Sequence, residues 1–247
     1  ASCFLDGDNA RRVMVISNQG AVVSGFTIRN GNVTNSADVY DRRGGGVMIF
    51  AGSLEYCSIT NNRALLNDGG GIGVAVGAQQ AAVRNCFILN NQSLDDEGGV
   101  DALDQANITL INCVIARNQG GTSESGVGGG VNLRNDSGTL VNCTVVSNRA
   151  GGVGGVNLGA NSRAANCILW GNYGPALLAD RNYRTNAAAS ITYSCTTPTP
   201  GGAENINAAP LFVDEAAGNY QIGTGSPCID EGTSSGAPAQ EDRKSVV

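Results

Sequence analysis

The chain has 247 residues, of which 36 are glycine, only 15% are charged and none is histidine, and its net charge is −6. This composition argues against nucleic-acid binding, which needs basic clusters, and excludes histidine-dependent catalysis or metal binding. No apolar stretch approaches the ~18 residues of a membrane-spanning helix. Abundant glycine and asparagine favour tightly turned β-structure, since both tolerate positive φ.

The chain begins inside a phrase that recurs along its whole length. Its opening, ASCFLDGD, matches the middle of later copies, so we expect a fragment or a mature piece of a longer protein. We name the shared position of these copies the marker position. It holds, in chain order, Cys3, Phe26, Cys57, Cys86, Cys113, Cys143, Cys167 and Cys195. From Cys57 onward the steps are 29, 27, 30, 24 and 28 residues, a period typical of a solenoid.

Each repeat predicts three short strands. The first follows a glycine run, as in GGGVMIF, GGGIGVAV and GGGVNLR, and we name it the glycine-led strand. The second ends just before the marker position, and the third begins there. Alternating aliphatic residues in these segments indicate strands with one buried face.

Three strands within 24 to 31 residues leave no room for a sandwich of ordinary hairpins. Stacked as coils, each strand pairs in parallel with its equivalent about 4.8 Å away. The sequence therefore predicts an all-β fold, a single-stranded right-handed parallel β-helix (a solenoid) of about eight coils of three short strands, over residues 1–197. Residues 198–232, the closing segment, are predicted to end the same domain, and residues 233–247 to form a disordered or non-native tail.

Asparagine recurs at two further positions of the repeat. We expect both to lie at corners, where asparagine tolerates left-handed backbone and its amide can bond the same residue one coil away. One set precedes the marker position: Asn85, Asn112, Asn142 and Asn166. The other follows it by five residues: Asn62, Asn91, Asn118, Asn148 and Asn172.

The cysteines do not have the spacing of a zinc site, because no two stand closer than 24 residues. Two interpretations stay open: a stack of buried free thiols, or disulfides between adjacent coils. Phe26 at the same position favours apolar bulk there. We expect a ladder of free thiols at Cys57, Cys86, Cys113, Cys143 and Cys167.

The phrases GG(G)-aliphatic and NC-x-aliphatic-x-x-N resemble the pectin-lyase-like superfamily, and are similar to the repeats of secreted bacterial and polymorphic outer-membrane proteins. The ending NAAPLFVDEAAGNYQIGTGSPCIDEG, residues 207–232, resembles the segment that closes many bacterial surface helices. The resemblance implies an extracellular or cell-surface location. It leaves activity open, because this superfamily includes lyases, hydrolases and adhesins.

Carboxylates are the one functional signal. The stretch SLDDEGGVDALD holds Asp95, Asp96, Glu97, Asp101 and Asp104. Asp101 should point outward between inward Val100 and Ala102, and the next two coils place Asn132 and Asn157 at the same outward position. Asp68 lies in the equivalent loop one coil earlier, and Asp41, Arg42 and Arg43 lie one coil earlier still.

Three interpretations of this acidic stretch stay open. It is a solvated loop, or it binds a glycan or Ca²⁺, with Asp96, Glu97 and Asp101 as the ligands of a metal. Or it is catalytic, either through Glu97 and Asp101 as a carboxylate pair or by calcium-assisted proton abstraction with an arginine base. The ligand-binding candidates are Asp68, Asp95, Asp96, Glu97, Asp101, Asp104, Asn132 and Asn157. No other cofactor is expected. Tyr40 and Phe50 are the aromatic residues best placed to stack on sugar rings. The N-T-D, G-H-G and R-I-K motifs of pectin hydrolases are missing, and only a lone DD is present.

We therefore expect a secreted or cell-surface bacterial module for adhesion or glycan binding, without catalytic activity. The alternative is a polysaccharide lyase or glycoside hydrolase that acts on an acidic polysaccharide at the face of the glycine-led strands. The expected partner is a polysaccharide or a cell-surface glycan, with no nucleic acid and no membrane span, and the expected state is a monomer.

Overall fold

The computed structural model describes residues 3–34, 42–65, 68–122, 127–134, 138–174, 182–186 and 189–234, and these form an all-β parallel solenoid. Within those ranges the chain is free of helix, so no described helix has the length and apolarity of a membrane span. Tyr40, Asp41 and residues 235–247, about which predictions were made, lie outside the described residues.

One sheet contains eight parallel strands that start at the marker position or next to it. In coil order they are β1 (Cys3–Asp6), β3 (Phe26–Arg29), β6 (Ser58–Thr60), β10 (Phe87–Leu89), β14 (Val114–Ala116), β17 (Thr144–Val146), β20 (Ile168–Trp170) and β23 (Cys195–Thr196).

A second sheet of twelve strands contains both other strand types. The glycine-led strands are β2 (Met14–Ser24), β5 (Val47–Glu55), β8 (Ile72–Val74), β12 (Val100–Ala102), β15 (Val131–Leu133), β18 (Val156–Leu158) and β21 (Tyr183–Thr185). The strands before the marker position are β9 (Ala81–Arg84), β13 (Ile108–Ile111), β16 (Thr139–Val141), β19 (Arg163–Ala165) and β22 (Ser190–Thr192).

Two small groups of strands complete the described fold. The short strands β4 (Asn32–Val33), β7 (Arg63–Ala64) and β11 (Gln92–Ser93) pair in parallel at one corner. The strands β24 (Phe212–Asp214) and β25 (Asn219–Ile222) form an antiparallel pair in the closing segment.

The three-strand repeat and the parallel pairing confirm the predicted fold class, but the predicted number of coils is slightly high. The long strands β2 and β5 each include both the glycine-led strand and the strand before the marker position. These two strands are therefore continuous in the two N-terminal coils and separate in later coils. Five coils keep all three strands apart, and β23 begins a coil that is not completed as a solenoid turn.

Aliphatic columns fill the interior because equivalent residues stack in register. Ile59 pairs with Ile88, Ile88 with Ile115, and Ile115 with Val145, and all four side chains are fully buried. Each such side chain contributes about 1.5–3 kcal/mol by leaving water. The inward pairs of the glycine-led strands, such as Val100 with Ala102, are buried in the same way, as the alternation predicts.

The asparagines five residues after the marker position form a buried ladder. The Asn91 backbone N–H and its Nδ2 both donate to Asn118 Oδ1, at 2.9 and 3.0 Å, and Nδ2 also donates to Ile59 O at 2.9 Å. The same pattern joins Asn62, Asn91, Asn118, Asn148 and Asn172. Asn172 Nδ2 then donates to Asn182 Oδ1 at 3.0 Å, a final rung that lies outside the repeated phrase. We name this set the asparagine ladder.

The predicted left-handed corner is correct for only one asparagine set. Asn85, Asn112, Asn142 and Asn166 have φ between +53° and +56°. In the asparagine ladder the residue just before each rung takes the positive φ, as at Asn61, Asn90, Arg117, Ser147 and Gly171. That residue turns the chain, so the following asparagine directs its amide into the interior.

The five predicted ladder cysteines are buried and free. Each thiol donates to the carbonyl two residues earlier, at 3.1–3.4 Å. Burial, together with a hydrogen bond to Cys143, raises the pKa of Cys113 well above its usual range. Cys113 therefore behaves as a small interior side chain rather than as a reagent. The hydrogen bond with Cys86 lowers the pKa of Cys57 to about 6, but Cys57 is only 1% exposed, so its burial limits access to reagents.

The prediction for Cys195 is wrong by one residue. Cys195 pairs with Ile168, so Ser194 occupies the marker position next to Cys167. The Cys167 N–H donates to Ser194 Oγ at 3.0 Å. Cys195 consequently lies on the other face of its strand, where Ala208 of the closing segment accepts from its thiol at 3.0 Å.

The closing segment covers part of the outer face of the eight-stranded sheet. Phe212 and Tyr220 pack against Val114, Ala116 and Val146. Arg117 Nη2 donates to the backbone oxygens of Glu215 and Ala216, each at 2.7 Å. The outer face of the coils before β10 lies beyond this cover.

Replacing Asn118 by alanine should destabilise the fold by about 3 kcal/mol or more. The change removes four hydrogen bonds of the asparagine ladder and leaves buried donors and acceptors without partners, at about 1–3 kcal/mol each. Denaturant unfolding followed by circular dichroism measures the loss. Asn107→Ala, at an exposed asparagine, is the control and should shift stability by less than about 0.5 kcal/mol. Equal effects of the two changes would contradict the ladder's role.

Alkylation should separate the ladder thiols from the exposed Cys3. In the folded protein Cys3 should react rapidly, whereas Cys57, Cys86, Cys113 and Cys143 should react only after denaturant is added, because burial blocks reagent access. Mass spectrometry of the labelled peptides gives the result at each residue. A disulfide between any two ladder cysteines would contradict this assignment.

Candidate functional site

Glycines let the backbone approach closely where each loop enters a glycine-led strand. A Cβ at Gly71 would lie 2.8 Å from Gly99 O and 3.0 Å from the Asn91 side chain. The glycine runs are thus required by the contact between adjacent coils and with the asparagine ladder.

The outer face of the glycine-led strands carries a polar column, as predicted. The register places apolar Met48 and then Gly73 at its start, followed by the polar residues Asp101, Asn132, Asn157 and Arg184. Asp101 points away from the core that Val100 and Ala102 line. Gly73 leaves a gap in the column, and a Cβ there would lie 3.2 Å from Cβ of Arg43. The gap lets Arg43 lie along the column toward Asp101.

Two arginines and four carboxylates meet on this face, and we name them the arginine–carboxylate cluster: Arg43, Arg134, Asp68, Asp96, Glu97 and Asp101. Arg43 Nη1 lies 2.6 Å from Asp68 Oδ2 and also donates to Asp101 Oδ2. Arg134 Nη2 donates to Asp68 Oδ2 at 2.9 Å and lies 3.5 Å from Glu97 Oε2. Asp68 thus joins both arginines.

Three of the four carboxylates are buried, whereas the side chains of Asp96 and Arg134 are 22% and 32% exposed. Glu97 and Asp101 have no exposed surface, and Asp68 is only 2% exposed. Arg43 and Arg134 close over the carboxylates because the ion pairs offset part of the cost of burying them. Asn132, another predicted ligand-binding residue, is also fully buried.

Hydrogen bonds extend the cluster along the column. Asn132 Nδ2 donates to Glu97 Oε1 at 2.6 Å, and Asn157 Nδ2 donates to Asn132 Oδ1 at 2.7 Å. Arg184 Nε donates to Asn157 Oδ1 at 3.1 Å. The predicted outward positions of Asn132 and Asn157 are therefore occupied by internal contacts.

Burial shifts the acidity of the carboxylates. It raises the pKa of Glu97 well above its usual range, with the nearby Asp101 and Asp68 charges acting in the same direction. Burial and the Asp68 charge raise the pKa of Asp101 to about 6, against the opposing effect of Arg43. Burial also raises the pKa of Asp96. The cluster contains two positively charged arginines and four carboxylates. A proton on Glu97 reduces the resulting excess of negative charge.

The carboxylates that could share one cation are Asp68, Asp96 and Glu97, whose oxygens lie within 4.8 Å of one another. This set differs from the predicted Asp96, Glu97 and Asp101, since Asp68 takes the place of Asp101. Asp68 already binds two guanidinium groups, and a cation beside it would meet both positive charges. The arrangement therefore favours internal ion pairing over Ca²⁺.

Other predicted site residues lie apart from the cluster. Asp95 and Asp104 are exposed, and Phe50 is partly buried against the core. The sequence prediction missed Arg134, which directly follows the inward Leu133 of β15, at a position where other coils have Phe50, Ala75, Leu103 or Gly159. An arginine at that otherwise uncharged position was the available signal.

A second candidate site lies on the outer face of the eight-stranded sheet. A shallow depression of about 280 Å³ is lined by Gly25, Phe26, Thr27, Tyr56, Cys57, Ser58, Asn85 and Phe87. Tyr56 is 65% exposed and Phe87 is 44% exposed, high values for aromatic side chains. We name this surface the aromatic shelf. None of its lining residues is charged.

The aromatic shelf lies where the repeat departs from its consensus. Phe26 replaces the marker cysteine, and Tyr56 stands at the corner where four later coils have asparagine, with φ of +52°. Phe87 projects outward from β10, while its neighbours in register, Thr27 and Ser58, are small. Sequence reasoning missed the shelf because each departure looks isolated until the coils are stacked.

Comparison with known proteins supports the solenoid. A family model described as a right handed beta helix region matches residues 7–197. No curated protein and no solved structure matches the chain. The family match does not distinguish the pectin-lyase-like superfamily from other right-handed β-helices.

Glu97→Gln should flatten the pH dependence of stability. A carboxyl with a raised folded-state pKa contributes stability below its unfolded pKa and loses that contribution as pH rises through the folded value. Wild type should therefore lose stability relative to Glu97→Gln as pH increases from about 4 through neutrality. Asp101 titrates in the lower part of the same range in both proteins. Unfolding midpoints measured across this range test the prediction.

Glu204→Gln, at an exposed carboxylate, is the matched control and should run parallel to wild type over the same pH range. A Glu97→Gln curve that also stays parallel to wild type would show that Glu97 does not titrate differently in the folded protein.

Proposed function

Because the chain belongs to the right-handed beta helix family, we propose that it is a glycan-binding module that holds its ligand on the outside of the coils without cleaving it. The observation that carries this proposal is the aromatic shelf. The proposal includes a secreted or cell-surface location in a bacterium, where such a module would serve adhesion.

The aromatic shelf has the chemistry that sugar recognition needs. Exposed faces of Tyr56 and Phe87 offer apolar surface to the C–H faces of a sugar ring. Thr27, Ser58 and Asn85 add hydroxyl and amide groups, which both donate and accept hydrogen bonds as sugar hydroxyls do. A mainly apolar surface with a few polar groups is the usual composition of a small-ligand site.

The shelf favours a neutral glycan. Its lining has no arginine or lysine to pair with a uronate and no carboxylate to repel one. It extends over three successive coils, a span of roughly 10 Å from two steps of about 4.8 Å. A short run of neutral sugar units therefore fits it better than the acidic polysaccharide of the enzymatic alternative.

The alternative, a polysaccharide lyase or glycoside hydrolase, has weaker support. Its carboxylate candidates, Glu97 and Asp101, have no exposed surface, and Asp101 is paired with Arg43. A substrate would have to displace the arginines before it reached either group. The aromatic shelf itself contains no acid or base suited to glycoside cleavage.

Tyr56→Ala and Phe87→Ala should each weaken glycan binding by about tenfold or more, a loss of at least about 1.4 kcal/mol. Screening neutral and acidic oligosaccharides on an array selects the probe, and calorimetry with the best-bound oligosaccharide then gives Kd for each variant. Tyr173→Ala is the matched control, because Tyr173 is 57% exposed but lies outside the shelf.

Failure to bind any oligosaccharide would contradict the proposal, and so would equal affinity of the Tyr56→Ala/Phe87→Ala double variant and wild type. New reducing ends or unsaturated products released from a bound glycan would contradict its non-catalytic part.

A further inference from the structure

One pair of thiols lies where the closing segment begins and ends: Cys195 just precedes it, and Cys228 lies near its C-terminal end. Cys195 stands in β23, where the solenoid ends, and Cys228 lies near the end of the described chain. Each thiol shifts the pKa of the other, which places the two side chains close together. Neither belongs to the ladder of interior cysteines, since Ser194 takes the marker position of that coil.

The surrounding contacts hold both cysteines in place. Ile206 pairs with Cys195, and the Thr196 N–H donates to Ile206 O at 3.0 Å. Ala208 O accepts from the Cys195 thiol at 3.0 Å. On the other side, the Cys228 N–H donates to Ser226 Oγ at 3.1 Å, and that hydroxyl donates to Pro210 O at 2.6 Å. Residues 206–210 therefore contact Cys195 directly and contact Cys228 through the Ser226 hydroxyl.

We propose that Cys195 and Cys228 form a disulfide that fastens the closing segment to the last strand of the solenoid when the protein meets a disulfide oxidant. The cross-link closes a loop that contains the antiparallel pair β24 and β25. That pair carries Phe212 and Tyr220, which cover Val114, Ala116 and Val146. The bridge would keep this apolar surface covered.

The reaction is a thiol–disulfide exchange with a small disulfide such as oxidised glutathione. The Cys228 thiolate attacks one glutathione sulfur, forms a mixed disulfide and releases one glutathione thiolate. The Cys195 thiolate then attacks the Cys228 sulfur and releases the second glutathione. The protein loses two protons and two electrons, and the oxidant gains them as two thiols.

Cys228 is suited to the first step. It is partly exposed, whereas Cys195 is buried. Hydrogen bonds from Cys195 and Ser226 favour its thiolate and lower its pKa. A partly exposed thiol with stabilised thiolate is the reactive one of a pair.

Peptide mapping tests the bridge on the full chain. The folded protein is incubated with oxidised glutathione, alkylated and cleaved after Glu204 and Glu215, which separates the two cysteines. We expect a cross-linked peptide pair whose mass is about 2 Da below the sum of the two reduced peptides, because two hydrogens are lost. Cys228→Ser, at a partly exposed site, should abolish the pair, and Cys3→Ser should leave it intact.

Limited proteolysis gives the second measurement. Oxidation should slow cleavage within the closing segment by about tenfold or more in wild type and leave the rate in Cys228→Ser unchanged. Alkylation of both cysteines after oxidation of the folded protein would overturn the proposal. So would a bridge from either cysteine to a ladder thiol.

Discussion

The hydrogen bond from one asparagine amide to the next is the interaction on which the rest of the structure depends. From Asn91 onward, each amide oxygen of the asparagine ladder accepts from the backbone and the side chain of the preceding rung, as Asn148 does from Asn118. These buried bonds set each coil at a fixed height and angle on its neighbour. Loops of different length can then leave the coil without changing the register of the strands.

The same register brings unlike residues together on the outside. Arg43 reaches across the gap at Gly73 to Asp101, two coils away. A buried ion pair of this kind adds little net stability, because desolvation offsets the attraction, but removing one partner costs much. The arginine–carboxylate cluster therefore holds the loops at defined positions along the face of the glycine-led strands.

The interior was predictable because equivalent positions repeat the same residue type, and coincidence across several coils is a strong signal. Cys195 misled the prediction because its phrase is YSC rather than NC, which moves the marker position to Ser194. Asn182 escaped notice because it completes the asparagine ladder from outside the phrase. A period in sequence locates positions that repeat, and it does not locate the residue that ends a series.

The outer sites were harder to predict for a physical reason. Arg134 contacts carboxylates on other coils because its side chain is long. The spacing of residues in the sequence does not show in which direction a side chain extends. The aromatic shelf combines Phe26, Tyr56 and Phe87 from three coils, and each is an isolated departure in sequence. Departures from a repeat become a surface only after the register is known. The exposed character of a site depends in turn on which loops close over it, as Glu97 and Asp101 show.

Amide hydrogen exchange along the asparagine ladder tests the central claim most directly. The backbone N–H groups of Asn62, Asn91, Asn118 and Asn148 each donate to the next rung. They should belong to the slowest-exchanging class and lose protection together, because opening one rung exposes its neighbours. Rapid exchange at these amides, with the adjoining strands still protected, would show that the ladder does not hold the coils in register.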